Sequence, residues 1–144
     1  MAALARTTTL IDDHTQGLLD ALDPAGFPIG DGEAPRNTDK SEVDPPFAVL
    51  YSLPGGLFDG PLSDSQADVT LIYQVTAVGV TRQQAQVAID VCRVLMKKAN
   101  VTIPNRRVRD LRHLTPNSGV IRDDDLPNPL FYGYDRYELD TTPS

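Results

Sequence analysis

The residues able to do chemistry are few and far apart. Two histidines and one cysteine, His14, His113 and Cys92, form no closely spaced pair, so the short-range ligand spacing of a zinc site is missing. Asp123-Asp124-Asp125 has the oxygens a hard cation takes. Adjacent side chains diverge, however, and no glycine follows where a calcium loop turns. A solvated acidic turn is the plainer reading. A metal-dependent hydrolase using Asp123–Asp125 with His113 stands as the enzymatic alternative. Ser52, Ser63, Ser65 and Ser118 sit in no nucleophile elbow, and the cysteine falls on an apolar helix stripe, where a thiol is structural. Gly30-Asp31-Gly32 and Pro54-Gly55-Gly56 lack the GK[ST] ending of a phosphate loop and the spacing of a dinucleotide turn. The residues therefore predict no catalytic group, no metal and no cofactor.

Charge is more informative. The chain of 144 residues has a net charge of −7, unevenly spread. Residues 1–90 hold thirteen acids against four bases, whereas residues 91–144 hold nine bases against seven acids. Between residues 93 and 112, Arg93, Lys97, Lys98, Arg106, Arg107, Arg109 and Arg112 face only Asp110. No aromatics interleave with the arginines to stack bases, and overall acidity opposes a dedicated nucleic-acid binder. An acidic body with one basic stretch suits a protein meeting different partners on different sides. Chance gathering of charge in a solvated loop is the bland alternative. Arg106, Arg107, Arg109 and Arg112 are the candidate contacts to an acidic partner or to a neighbouring subunit.

These residues must be positioned by a single α+β domain over residues 1–144, a length natural for one core. Asp12 and Asp13 in a first turn, apolar Ile11, Leu18 and Leu22 on one face, and Pro24 beyond predict a helix from Thr9 to about Leu22. His14 shares the apolar face and is read as a packed, hydrogen-bonded residue. Residues 23–45 are rich in Pro, Gly and Asp; they predict a flexible loop at about 30–45, with Phe27-Pro28-Ile29 as a short edge strand. Phe47–Leu53 is a strand stopped by Pro54-Gly55-Gly56, and a turn-rich stretch runs to Gln66. Asp68–Val78 alternates clearly, with Val69, Leu71, Tyr73, Val75 and Ala77 on one face. Short strands are expected at Val101–Ile103, Val108–Leu114, Gly119–Arg122 and Leu130–Leu139, with a frayed tail at 141–144.

Thr81-Arg82-Gln83-Gln84 matches a capping box, opening a helix expected to reach about Lys98. Ala85, Ala88, Ile89, Cys92, Leu95 and Met96 form one stripe. Val87, Val91 and Val94 form a second on nearly the opposite side. A helix lying on its own sheet needs an apolar face of only about 100°. The second stripe is either covered by the C-terminal segments or meets another subunit.

With these elements in order, the chain resembles the tail terminator (tail-completion) proteins of long-tailed, siphovirus-type bacteriophages, especially those infecting actinobacteria. The likeness rests on the first helix ending LLDAL, the Pro/Gly-rich loop, the run PFAVLYSLPGGLFDGPLSDSQADVTLIYQVTAVGVTRQQAQVAIDVCRVL and the close PLFYGYDRYELDTTP. The basic stretch 98–112 and the acidic turn 123–125 lie outside it. The resemblance implies a compact sheet, mixed or antiparallel, flanked by two main helices and assembled as a hexameric ring. That ring would sit on the head-proximal end of the tail tube, ending its polymerisation and presenting the head-joining surface. The implied partners are further copies of the chain, the tail tube protein and a head-side connector or head-closure protein. DNA would pass through without specific binding, since carboxylates repel phosphates. The implied location is the virion, after synthesis in the host cytoplasm. No apolar run nears the length that spans a bilayer. Another neck component, such as a head-closure adaptor, is the nearer alternative; Val87, Val91 and Val94 are the candidate subunit interface.

Overall fold

The computed structural model describes residues 10–58, 68–114, 119–124 and 129–144. Two helices lie on one face of a six-stranded mixed sheet, an α+β fold. Helix α1 spans Leu10–Leu22 and α2 spans Arg82–Leu95; the strands are β1 (Ile29–Asp31), β2 (Phe47–Phe58), β3 (Val69–Gly79), β4 (Arg106–His113), β5 (Val120–Asp123) and β6 (Leu130–Pro143). The order is β1-β2-β3-β6-β4, with β5 also paired to β6. β1 runs parallel to β2 and every other pairing is antiparallel. β6 is the hub. One of its sides pairs β3 from Val69↔Thr141 to Gly79↔Phe131. Its other side is shared by β4 and β5, end to end.

The alternation in β3 does what its period requires: Val69, Leu71, Tyr73, Val75 and Ala77 are buried and the residues between them only half so. Those five meet Ala88, Ile89 and Cys92 from α2, Met96 just beyond it, and Leu18, Ala21 and Leu22 from α1, in one core. α2 opens on the expected cap, with Thr81 Oγ1 accepting from the Gln84 N–H at 3.0 Å, while Gln84 Oε1 accepts from the Val80 N–H at 2.7 Å, one residue before the N-cap. The opposite sheet face carries polar pairs instead. Thr70 donates to Asp140 (2.6 Å), and Arg136 donates to Gln74 (3.1 Å) while stacking over Tyr134.

Several boundaries differ from the sequence expectation. α2 ends at Leu95, so Lys97 and Lys98 lie beyond it; the Met96 N–H bonds Cys92 O, and Asn100 Nδ2 takes the Leu95 carbonyl. β2 continues past Pro54 to Phe58, with its register shifting between Leu53 and Leu57. β1 pairs only Ala48–Leu50, so Pro54 falls where the outer flank of β2 has no ladder to interrupt. The short strand expected at Phe27-Pro28-Ile29 is Ile29–Asp31. Within the expected loop 30–45, Asn37 and Ser41 close a turn and Arg36 bridges Glu42. Val101–Ile103 forms no ladder, although Val101 and Ile103 are buried. The strand expected at Val108–Leu114 is Arg106–His113, so the arginines of the basic stretch lie on β4, while Lys98 lies in a 3-10 turn at Lys98–Asn100. The tail expected to fray is paired: Thr141 is buried opposite Val69 and Val108, and only Ser144 follows the strand. Residues 59–67, with most of the turn-rich stretch, and Thr8 and Thr9 are outside the described residues.

Close approach explains a glycine inside α1. A Cβ at Gly17 would lie 2.9 Å from the Thr102 carbonyl oxygen and 3.0 Å from Ile103 Cγ1. Gly to Ala in a helix interior ordinarily gains about 1 kcal/mol of propensity. Overpacking against fixed backbone costs about 1–3 kcal/mol and reverses the sign. Gly17→Ala is expected to lower the melting temperature, measured by circular dichroism; a rise would show that α1 is not seated on residues 101–103.

Candidate functional site

Two buried polar centres and two surface features carry the charged, nucleophilic and unburied apolar residues of interest. The first centre is Asp135, which points inward from β6 with no exposed surface. Arg93 of α2 holds it in a fork, Nε to Oδ2 at 3.0 Å and Nη2 to Oδ1 at 2.9 Å. His113 Nε2 of β4 lies 2.9 Å from Oδ1, and the Tyr137 hydroxyl donates to Oδ2 at 3.3 Å. A carboxylate taken out of water is tolerated only when paired and hydrogen-bonded in this way. Burial, then the Asp135 charge, pushes the Tyr137 phenol well up, and the same two causes push the Cys92 thiol up to about 12. Cys92 is fully buried and its thiolate is suppressed, so it has neither the access nor the ionisation of a nucleophile.

The second centre joins α1, β6 and β4. His14, fully buried, has Nδ1 2.7 Å from the Leu10 carbonyl and Nε2 2.6 Å from Thr141 Oγ1. A carbonyl only accepts, so Nδ1 carries the proton. Arg106 Nε only donates, and it reaches the same Thr141 oxygen at 2.9 Å. The neutral imidazole lets every group serve: Arg106 donates to Thr141, Thr141 donates to Nε2, and Nδ1 donates to Leu10. The packed, hydrogen-bonded reading of His14 is what the structure has.

The metal alternative loses its geometry. His113 pairs opposite Tyr137 and Asp123 opposite Leu130, seven positions apart along β6. At about 3.3 Å per residue that is roughly 23 Å, too far for a shared ion. Asp124 instead pairs with Arg122 at 2.7 Å, and Asp125 is outside the described residues. Among the described residues no group of three His, Cys, Asp or Glu is placed to hold a metal. Ser52 is exposed on β2; Ser63, Ser65 and Ser118 are outside the described residues.

The arginine set divides. Arg106 is 8% exposed and committed to Thr141, which removes it from any partner surface. Arg112 lies between Asp110 and Glu138 of its own sheet. Arg107 and Arg109 are exposed on β4 with no ion pair among the described residues. The valine set stays together. Val87 and Val94 are 55% and 60% exposed, and half-buried Val91 lies between them. With Pro24, Asp90 and Leu95 they line an open groove of about 330 Å³. The C-terminal strands do not cover this stripe; β6 lies under the opposite side of α2, against Ala88, Ile89 and Cys92.

Sequence reasoning missed the Asp135 centre, whose members come from α2, β4 and β6. One signal was present: Asp135 occupies an inward position in the alternation Gly133, Asp135, Tyr137, Leu139, Thr141.

The His14 centre has a pH signature. Burial, foremost, and the nearby Arg106 charge hold its pKa below 6.5, against opposing contributions from the Leu10 carbonyl and Asp13. The unfolded chain therefore takes up a proton below pH 6.5 that the folded chain refuses. The contribution to stability is full above that pH and falls as pH drops toward the folded pKa, by about 1.4 kcal/mol per unit. Urea melts from pH 8 to 5 are expected to show this decline in the wild type and a shallower one in His14→Gln. Equal slopes would mean that His14 is not buried neutral.

No protein-family model matches the chain, and no curated protein matches it. Among solved structures, a chain from a particle described as the virion of a native gene transfer agent (GTA) matches with a TM-score of 0.48 at 11% identity, over 85% of this chain and 84% of that one. At that level the likeness carries no argument about what this protein does.

Proposed function

We propose that this chain is a structural virion protein that forms a ring at the head-proximal end of a phage tail tube, ends tail polymerisation and presents the surface to which the head joins. The observation that carries the ring is the valine stripe of α2, exposed on a helix whose other side already covers the sheet. Burying one valine contributes roughly 1.5–3 kcal/mol, whereas an exposed ion pair contributes at most about 1. The same contact is repeated at each junction of a closed ring. Placement at the tail end rests on the sequence resemblance. The buried thiol and the inward-facing Asp135 centre support a structural role over a catalytic one. Val87, Val91 and Val94 are the proposed interface, and Arg107 and Arg109 the proposed polar contacts.

Because Val87 and Val94 are exposed, a charge there should spare the fold. Val87→Asp/Val94→Asp is expected to melt close to the wild type, since surface changes move stability by only about 0.5 kcal/mol. It should fail to cap tail tubes, leaving overlong tails in negative-stain images of assembly extracts. Normal tail lengths with this variant would remove the valine stripe from the interface. Val91→Asp should also lose capping, and should lower the melting temperature because Val91 is half-buried.

A further inference from the structure

Of the exposed charges with no ion pair among the described residues, two sets stand at opposite edges of the sheet, while Asp20, Asp39, Lys40, Asp44 and Arg82 belong to neither. On the β4 side stand Arg107 and Arg109, with Lys97 and Lys98 beside the 3-10 turn that packs on β4. On the β1 side stand Asp31 at the end of β1 and Glu33 after it, and Asp23, in the turn after α1, stands beside the valine groove. These groups are exposed and lack an ion pair among the described residues. Four strand spacings separate β1 from β4, about 19 Å at about 4.8 Å each. That is more than twice the screening length of about 8 Å at physiological salt. The two groups cannot neutralise one another inside a subunit; a second copy can bring them together.

We infer that the basic β4 edge of one copy docks against the acidic β1 side of the next, head to tail. This rests on the ring reading above and names the faces that meet. The contact joins two different surfaces, so it is heterologous and continues from copy to copy until it closes. Apolar surface lies beside each charge set. Exposed Leu114 follows β4, and the valine groove borders Pro24, next to Asp23. The contact is made through side chains. The irregular register between Val108 and Asp110 and the charged edge both oppose continuation of the ladder into a neighbour.

Charge exchange tests the pairing. Lys97→Glu/Lys98→Glu/Arg107→Glu/Arg109→Glu gives a chain acidic on both sides, and Asp23→Lys/Asp31→Lys/Glu33→Lys gives one basic on both sides. Each purified variant, with circular dichroism confirming its fold, should sediment as a monomer at low salt. The wild type should sediment as an oligomer that high salt dissociates. An equimolar mixture of the two variants should recover the oligomer, because every junction then joins opposite charges. A monomeric wild type at low salt, wild-type assembly by either variant alone, or a monomeric mixture would each overturn the inference. Sedimentation reads copy-to-copy contact without tubes. A chain that passes it yet fails to shorten tails has lost only the tail-end role.

Discussion

The inward-facing polar residues of β6 are the constraint on which the other elements depend. A strand that pairs along both sides and lies under two helices would ordinarily present only apolar side chains inward. β6 presents Asp135 and Thr141 as well. An unpaired buried carboxylate is unstable by several kcal/mol, so α2 must bring Arg93 and β4 must bring His113. A buried hydroxyl needs a donor and an acceptor, which Arg106 of β4 and His14 of α1 supply. β4 serves both centres, α1 one and α2 the other. The hydrophobic core sets the layers, because apolar burial has no direction. The polar centres set which side of each helix faces down and where β4 stands along β6, because hydrogen bonds have direction.

That arrangement decides what is left for the surface. α2 spends Ala88, Ile89 and Cys92 on the sheet and Arg93 on Asp135, and its valines are left outward. β4 spends Arg106 on Thr141 and Arg112 on its own sheet, and Arg107 and Arg109 are left outward. A charge run that looks uniform in the sequence thus has, of its four arginines from 106 to 112, one buried, one exposed but paired within its own sheet, and two exposed with no ion pair among the described residues. Arg107 and Arg109 on β4 and Asp31 and Glu33 at β1 are exposed at opposite edges of one sheet.

Much of the frame was legible because it follows local rules. The period of two in β3, the capping box before α2 and the two stripes of α2 each depend on residues a few positions apart. Boundaries set by tertiary contact were not legible. Lys97 and Lys98 read as a last helical turn, but the carbonyl of Leu95 is taken by Asn100, and the chain leaves the helix there. Pro54-Gly55-Gly56 read as a stop, but β1 pairs only as far as Leu50 and β3 resumes its pairing at Leu57, so the strand continues past the irregularity. The tail TTPS read as frayed, because nothing near it in sequence shows that Thr141 will be held by residues 35 and 127 positions away.

By itself, the sequence determined the fold class, the faces of the helices and strands, the absence of closely spaced metal-ligand and nucleophile motifs, and the existence of a surplus apolar stripe. All of these are properties of neighbouring residues and their periodicity. Only the tertiary structure decided which charges are internal and which remain exposed. Pairing such as Asp135 with Arg93, or Thr141 with Arg106, depends on the register of β6 against its neighbours. That register is set by the packing of the whole sheet rather than by any segment of it.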